Sequence, residues 1–435
     1  MQKKNFVVIS FILVFAILTT TGCSSVDRLV RGKSADVPEG AIEIKMWNLF
    51  AGGDAEFMQT IVDEFNQSQD KYFINNIQQD YDEYYTKLIT SLGAGKGPDI
   101  AISHSHTLPE LVNLGILQPI DHYATEAGVD WTEFNPNILE QTVFDNDHYA
   151  IPIDTHPHIM YVNNKALDGA GLINGDGTIK MEETPDGYRD FFGTLKEELP
   201  ENQFPFAFST VGMDSYRHWW TFYTQLGGEN IVSDDLNNPK YVLDTEKAIE
   251  AAAYMHKFWY EDEVIPLNLA DFYTDFQSER AATIATGVWS TGIWEGTEDL
   301  EFTAMPIPTI FGEKGAWGGS HTFVLPSYEE IDPDVQLGAV AFMDFATDKG
   351  AIWAQAGHIP AKDTVVNSKA FTEMPYREDY AEVANYVNFA DRNIYYRGIN
   401  DIMLRNLDRI WSNEVTPKVA FQQIEKEVKE LIGED

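Results

Sequence analysis

Apolar and polar side chains alternate along the chain with two spacings, one typical of strands and one typical of helices. Residues 42–47 alternate apolar and polar positions, which predicts a strand with one buried face. Between residues 55 and 65 the apolar positions recur every three or four residues, which predicts a helix. A second strand and helix over 73–92 lead into a strand over 99–102. This alternation is typical of a mostly parallel sheet covered by helices on both faces.

Longer helical patterns follow in the second half of the chain. Apolar side chains at helical spacing predict amphipathic helices over 245–260, 335–345 and 416–432. Asp244 or Thr245 is suited to cap the N-terminus of the first of them. The sequence shows no internal repeat and no low-complexity tract. The order of these elements predicts a globular α/β protein.

The N-terminus departs from this pattern. Lys3 and Lys4 precede an apolar run over 6–18, which is too short for a membrane-spanning helix and matches a secretion signal. The run is followed by Thr-Thr-Gly and then Cys23, the only cysteine. Small residues before a lone cysteine resemble the lipobox of bacterial lipoproteins, in which the cysteine is acylated. We therefore expect a signal peptide over 1–22 and a lipid anchor on Cys23. A plain signal peptide or an uncleaved anchor is the alternative.

The composition narrows the range of partners. The 435 residues include 30 Lys and Arg against 69 Asp and Glu, which gives a formal net charge of −39. This charge argues against nucleic acid or an anionic bilayer as a partner of the protein surface. A single cysteine excludes an intramolecular disulfide and a thiolate metal cluster. Residues 23–40, which are polar and contain glycine and proline, are expected to form a flexible tether.

Several fragments of the chain match one known family in the same order. They are Gly-Pro-Asp-Ile at 97–100, Leu-Gly-Ile-Leu-Gln-Pro-Ile at 114–120, Tyr-Ala-Ile-Pro-Ile-Asp at 149–154, Met-Tyr-Val-Asn-Asn-Lys at 160–165, Gly-Ala-Gly-Leu at 169–172, Leu-Gly-Gly-Glu-Asn at 226–230, Ala-Ala-Thr-Ile-Ala-Thr-Gly-Val-Trp at 281–289, Gly-Gly at 318–319 and Gly-His-Ile-Pro-Ala at 357–361. In this order the chain resembles the extracellular solute-binding proteins of bacterial ABC importers. Within them it is most similar to the carbohydrate-binding family that includes maltose-binding protein.

The resemblance implies the periplasmic-binding-protein fold, in which two α/β lobes with mostly parallel sheets close on a ligand in the cleft between them. By analogy the chain crosses the hinge near 151–152, 316–317 and 359–360. The implied lobes are 41–151 with 317–358, and 152–316 with 359–435. The resemblance also implies a monomer that needs no cofactor, performs no chemistry and delivers a carbohydrate to the permease subunits of an importer.

A sugar presents hydroxyls, which need directional polar partners, and apolar C–H faces, which stack on aromatic rings. Residues of both kinds occur at the ends of the predicted strands and near the crossings. The candidate ligand-binding residues are Trp47, Asn48, His104, Ser105, Asp154, His156, Trp219, Trp220, Trp289, Trp317, Gly318 and His321. Among the tryptophans, we expect Trp47, Trp289 and Trp317 to stack on the sugar.

The polar candidates are expected to bind the sugar hydroxyls. Asp154 is favoured because the family commonly places a polar ligand contact just after the proline at this point, and His104 and His321 lie at strand ends. Trp219 and Trp220 are adjacent on a predicted helix, so at most one of them is expected to face the cleft.

The histidines form no recognised metal motif. His104 and His106 are two residues apart, as are His156 and His158, a spacing that places both members of a pair on one strand face. Zinc needs three or four converging ligands, and the chain has no HExxH motif or cysteine pair. We therefore expect hydrogen-bonding or surface histidines and no metal.

Residues 174–183 resemble part of an EF-hand calcium loop, but Leu172 occupies the first position, where a carboxylate is needed. A Gly-Asp-Gly turn in an inserted hairpin is the alternative.

Two other functions remain open at this stage. A secreted glycoside-acting enzyme would also carry an aromatic cleft and many carboxylates. A lipoprotein that senses a sugar for a membrane receptor would share the fold. The chain has no Gly-x-Ser-x-Gly elbow, P-loop or dinucleotide fingerprint. We favour a binding protein anchored at the outer face of the cytoplasmic membrane, or located in the periplasm if the host has an outer membrane.

Overall fold

The structure is a computed structural model that describes residues 37–235, 238–267 and 269–434. The predicted signal peptide, Cys23 and the tether as far as residue 36 lie outside the described residues.

Strands and helices alternate along most of the described chain. The strands are β1 (Ile42–Asn48), β2 (Tyr72–Gln78), β3 (Ile100–His104), β4 (Val143–Phe144), β5 (Asp147–His148), β6 (Ala150–Pro152), β7 (Asp154–Asn163), β8 (Phe204–Ala207), β9 (Ala281–Gly287), β10 (Phe302–Pro306), β11 (Ala316–Gly319), β12 (His321–Val324), β13 (Ile359–Pro360) and β14 (Val387–Asn388). The α-helices are α1 (Gly52–Ser68), α2 (Tyr84–Gly93), α3 (Leu108–Asn113), α4 (Asp121–Ala127), α5 (Pro136–Leu139), α6 (Asn164–Gly169), α7 (Pro185–Glu198), α8 (Met213–Gln225), α9 (Thr245–Tyr260), α10 (Phe272–Gln277), α11 (Thr291–Glu295), α12 (Pro333–Asp348), α13 (Gly350–Trp353), α14 (Asp363–Val366), α15 (Lys369–Thr372), α16 (Arg377–Ala381), α17 (Tyr396–Trp411) and α18 (Pro417–Ile432).

The elements predicted from periodicity are present. The strand predicted over 42–47 is β1, and the three long helices predicted in the second half are α9, α12 and α18. Asp244 is the N-terminal cap of α9, because its side chain accepts a hydrogen bond from the backbone amide of Lys247.

The first sheet has the strand order β2-β1-β3-β12-β6. β1 pairs in parallel with β2, from Ile42 opposite Tyr72 to Asn48 opposite Gln78, and also in parallel with β3. β12 comes from much later in the chain and inserts between β3 and β6, antiparallel to both. The sheet therefore depends on a strand supplied by a distant segment.

The second sheet has the order β14-β11-β7-β9-β8, and its longest strand, β7, also pairs with β10 and β13. β7 runs antiparallel to each of its four partners, whereas β8 with β9 and β11 with β14 are parallel. The prediction of mostly parallel sheets is therefore wrong. Parallel neighbours need a crossover connection, usually a helix. Here the chain passes directly from β6 in the first sheet to β7 in the second, and from β11 in the second sheet back to β12 in the first. These two extended segments lie side by side and antiparallel in both sheets.

β7 joins the two hydrophobic cores of the molecule. Ile159 and Tyr161 belong to a core that also contains Ile44 and Ile100 of the first sheet, whereas Met160 packs in a second core. Successive side chains of a strand point to opposite faces, so one strand contributes to both cores. Within the described residues, none of the helices combines the length and apolar character that crossing a bilayer requires.

Candidate functional site

The N-terminal ends of β7, β12 and β13 bring four side chains from three segments of the chain together. Asp154 and His156 lie at the start of β7, His321 is the first residue of β12, and His358 immediately precedes β13. All four are buried. We call these four residues the junction group.

Asp154 is the centre of the junction group. Its Oδ1 accepts hydrogen bonds from the backbone amide of His321 (3.0 Å) and from Nδ1 of His156 (3.1 Å). Its Oδ2 accepts from Nδ1 of His321 (2.8 Å) and from Nε1 of Trp353 (2.6 Å). Burial alone would raise the pKa of Asp154. The charges of His321 and His358, together with hydrogen bonds from His156 and His321, hold it well below its ordinary value, so the carboxylate is ionised.

His358, just before β13, completes the group. Its Nε2 lies 3.1 Å from Oδ1 of Asp54, and its Nδ1 lies 3.7 Å from Oδ2 of Asp154. Burial opposes a charge on this ring, but Asp54 and Asp154 raise the pKa of His358 above its ordinary value. The residue before His358 must be a glycine. The φ of Gly357 is +122°, and a Cβ there would lie 1.9 Å from the carbonyl oxygen of Val288, so only glycine allows the backbone to pass this close to Val288.

A row of aromatic rings extends from the junction group. The His104 ring lies 4.8 Å from the His321 ring, and Nδ1 of His104 lies 2.6 Å from Oη of Tyr85. His106 stacks between His104 (5.0 Å) and Tyr396 (4.2 Å). Burial, with the charges of neighbouring histidines, lowers the pKa of His104 well below its ordinary value and that of His106 to about 3. Both rings are therefore neutral near pH 7.

Arg217 binds two tryptophans beside the same group. Its guanidinium carbon lies 4.7 Å from the ring centroid of Trp289 and 4.5 Å from that of Trp317. Both indoles are also ring neighbours of His156, at 6.1 and 6.3 Å. Asp214 accepts a hydrogen bond from Nη1 of Arg217 at 2.7 Å and so fixes the guanidinium on α8.

The structure brings half of the predicted site residues into this region. They are His104, Asp154, His156, Trp289, Trp317 and His321. Gly318 lies in β11 beside them, where a Cβ would be 2.6 Å from Cγ1 of Val387, so the glycine allows the strands to pack closely. The backbone amide of Ser105 donates to the carbonyl of Ser320, one residue before His321.

Asn48 and Trp47 have structural contacts instead. The amide nitrogen of Asn48 donates to Oδ1 of Asn76 (2.5 Å), and its Oδ1 accepts from the backbone amide of Phe50 (3.0 Å). Trp47 packs against the first core, with Nζ of Lys87 5.2 Å from its ring centroid. Both side chains are therefore engaged within the part of the molecule around β1, β2 and α2.

Trp219 and Trp220 were predicted as candidates, and the structure corrects this for both. Their exposures are 0 % and 1 %, and both belong to the second core. The Trp219 indole nitrogen donates to the carbonyl of Ala248 and that of Trp220 to the carbonyl of Asn388. Because both N–H groups are satisfied by backbone, these rings serve the packing of α8 rather than a stacking surface.

Several residues of the region were missed by the sequence-based prediction. They are Asp54, Tyr85, Arg217, Trp353 and His358. His358 carried a signal, since it directly precedes a predicted crossing. Arg217 and Trp353 lie on helices, where nothing in the local sequence distinguishes them from other helix residues.

The junction group also bears on metal binding. Each of its four residues offers one ligand atom, and these atoms all lie within 4.8 Å of one another. The expectation of no metal rested on the lack of three or four converging ligands in the sequence pattern. The fold provides that convergence from segments far apart in the chain.

The calcium-like segment forms a tight turn. Oδ1 of Asp176 accepts hydrogen bonds from the amide and hydroxyl of Thr178, and the amide of Asn174 donates to the carbonyl of Thr178. Ile173 and Ile179 form an antiparallel bridge around it. These contacts favour the hairpin-turn alternative for 174–183.

Comparison with known sequences places the chain among binding proteins. A sequence model of the family described as bacterial extracellular solute-binding protein matches residues 60–378. A binding protein of Brucella abortus is 25 % identical over 406 residues, which cover 87 % of this chain and 93 % of that protein. The maltotriose-binding protein of Pyrococcus abyssi is 21 % identical over 347 residues, covering 77 % of this chain and 70 % of that protein.

Solved structures share the fold. The cyclic alpha-maltosyl-1,6-maltose binding protein of Arthrobacter globiformis has a TM-score of 0.76 at 19 % identity, over 91 % of this chain and 100 % of that one. The sugar-binding protein MalE of Xanthomonas citri has a TM-score of 0.76 at 15 % identity, over 90 % and 98 % of the two chains. These likenesses confirm the predicted two-lobe α/β fold class.

Proposed function

Because the chain belongs to the family of bacterial extracellular solute-binding proteins, we propose that it captures a carbohydrate outside the cell and delivers it to an ABC importer made by other chains. The observation that carries the proposal is the placing of Trp289 and Trp317 beside the neutral imidazole of His156. Aromatic rings next to directional polar groups are what a sugar requires.

The histidines of the region match the chemistry of hydroxyl groups. Burial, with the charge of His321, lowers the pKa of His156 to about 4, so this ring is neutral near pH 7. Because Nδ1 of His156 donates to Asp154, its Nε2 is the acceptor that can pair with a sugar hydroxyl. His104 and His106 are neutral imidazoles as well, although Nδ1 of His104 is already bonded to Tyr85. Names of relatives support this class of ligand, since one binds maltotriose and a structural neighbour binds a cyclic maltose derivative.

We propose that binding closes two lobes, 41–151 with 317–358 against 152–316 with 359–435, and that the permease recognises the closed form. The protein performs no chemistry in this proposal. The hydrogen bonds that Asp154 accepts support that view, because they occupy its two oxygens and leave it poorly placed as an acid or base.

A binding protein of this family acts outside the cytoplasm. We further propose that it acts as a monomer, with a lipid on Cys23 and residues 24–40 as a tether, and that it has no nucleic-acid partner. The Lys-Lys start, the apolar run and the Thr-Thr-Gly-Cys sequence support the anchor. A Cys23→Ser variant should lose incorporation of labelled palmitate and leave the membrane fraction. Equal labelling of both proteins would rule the anchor out.

Ligand binding can be tested with a panel of mono- and oligosaccharides, read by tryptophan fluorescence and thermal unfolding. At least one sugar should shift both signals, and Trp289→Ala or Trp317→Ala should weaken its binding at least tenfold. Trp131→Ala is the matched control, because this ring stacks on His148 at 4.0 Å and has no ring contact with the junction group. If no sugar changes either signal, the proposed ligand class is wrong.

A further inference from the structure

We propose that the junction group, Asp154, His156, His321 and His358, binds one divalent transition-metal ion. This inference goes beyond the capture of a carbohydrate, and it does not depend on which solute the protein binds. Its ligands come from three segments of the chain: two from the start of β7, one from the start of β12 and one just before β13.

The spacing of the four side chains suits a small tetrahedral ion. Oδ2 of Asp154 lies 2.8 Å from Nδ1 of His321 and 3.7 Å from Nδ1 of His358, and Oδ1 lies 3.1 Å from Nδ1 of His156. Ligands at about 2.0–2.1 Å from a tetrahedral Zn²⁺ are separated by roughly 3.3 Å. The observed distances lie on both sides of that separation, and the four ligand atoms all lie within 4.8 Å of one another.

His358 provides an independent indication of a cation ligand. Its ring is 1 % exposed, and its Nδ1 has no hydrogen-bond partner among the described residues although it points at a buried carboxylate. Its other nitrogen, Nε2, meets Asp54 at 3.1 Å. When that nitrogen carries the proton, Nδ1 presents a lone pair to Asp154, and a cation between the two satisfies both.

The surroundings resemble those of bound metals in other proteins. A ligating histidine usually donates its second nitrogen to a carboxylate, as His358 can to Asp54. Trp353 donates to Oδ2 of Asp154 and fixes the carboxylate. Three imidazoles and one carboxylate favour zinc, nickel or copper over calcium or magnesium, which take oxygen ligands.

Binding through Nδ1 requires a change of tautomer at His156 and His321 and the release of the second proton where His358 carries one. Nδ1 of His156 and Nδ1 of His321 now lie at hydrogen-bonding distance from Asp154. Moving each proton to Nε2 frees both Nδ1 lone pairs without any net loss of protons. The competing arrangement is a metal-free network in which His358 carries the extra proton.

The test uses chelator-treated protein titrated with ZnCl₂, followed by calorimetry and metal analysis after desalting. We expect one Zn²⁺ per chain and a higher unfolding temperature. Co²⁺ in place of Zn²⁺ should give the visible absorption of a tetrahedral site. His358→Gln and His321→Gln should each weaken Zn²⁺ binding at least tenfold. His148→Gln is the control, because His148 also pairs with a carboxylate, Asp121 at 2.7 Å, away from the junction group.

Absence of stoichiometric Zn²⁺ binding by the unsubstituted protein overturns the inference and leaves the metal-free network. So does Zn²⁺ binding that both His358→Gln and His321→Gln retain, or that His148→Gln abolishes. Thermal unfolding of each variant in chelator shows that it is folded. The sugar panel in the same chelator keeps the two proposals apart, because a sugar response without zinc binding leaves the proposed function intact.

Discussion

Two groups of buried histidines lie side by side in this protein and differ in their partners. His156 and His158 are two residues apart on β7 and both are buried. His156 lies 3.1 Å from the Asp154 carboxylate. His158 instead faces His218 at 5.5 Å, and His218 packs against Phe222 at 4.5 Å. Among the described residues, neither ring of this second pair hydrogen-bonds to a carboxylate.

The comparison separates burial from function. Burial, with the charge of Arg217, lowers the pKa of His158 to about 3, so the ring is neutral and packs as an aromatic side chain. Burial also lowers the pKa of His156, to about 4, but here the ionised Asp154 binds the ring and fixes its orientation. The carboxylate, and not the degree of burial, makes one group a candidate site and the other part of the core.

The largest expected effect comes from removing the carboxylate. Asp154→Ala leaves the N–H groups of His321 and Trp353 without their acceptor and should lower the free energy of unfolding by about 3–5 kcal/mol. Urea unfolding measures it. Asp121→Ala, which removes a more exposed partner of His148, should cost less than about 1 kcal/mol. Equal decreases in the free energy of unfolding for the two variants would show that the junction group stabilises the fold no more than an exposed pair does.

The next effect is a pH dependence that arises from the second pair. The pKa of His158 is lowered from 6.5 to about 3, so between these values the unfolded chain binds a proton that the folded chain does not. Stability therefore falls as pH falls below about 6.5. His158→Leu should reduce that slope by about 1.4 kcal/mol per pH unit. Phe222→Leu, in the same core but without a titrating group, should leave the slope unchanged. An unaltered slope in His158→Leu contradicts the prediction.

The smallest effect is expected for the other member of that pair. His218→Leu introduces an apolar side chain of similar volume and breaks no bond to a carboxylate. At pH 7 the free energy of unfolding should therefore change by less than about 1.5 kcal/mol. Denaturant unfolding beside Asp154→Ala gives the contrast directly. A loss as large as that of Asp154→Ala would show that His218 has a polar role.

The local elements could be predicted from the sequence because their signals are local. The alternation over 42–47 and the three- and four-residue spacing over 245–260 both depend on neighbours, and both elements are present as β1 and α9. The insertion of β12 between β3 and β6, antiparallel to both, depends on contacts with residues more than a hundred positions away. The prediction of parallel sheets failed there for that reason.

The candidate site was predicted in part for the same reason. His321 was chosen because it lies at a predicted strand end, and Asp154 because the resemblance implied a polar ligand contact just after the proline. Trp219 and Trp220 were misassigned because α8 is buried nearly all round, so helical periodicity cannot separate a core face from a cleft face. Trp353 meets Asp154 across 199 residues, and no spacing in the sequence reports such a pair.

β12 lies far along the chain from the strands it pairs with, and this constrains the order of folding. β6 has β12 as its neighbour in the first sheet. Asp154 accepts two hydrogen bonds from side chains that lie 167 and 199 positions downstream. Contacts of such high order form slowly, because a long loop must close before they contribute. A nascent chain that ends before His321 therefore lacks two of the side-chain donors to Asp154, so the junction group can be completed only after residue 358 has been synthesised.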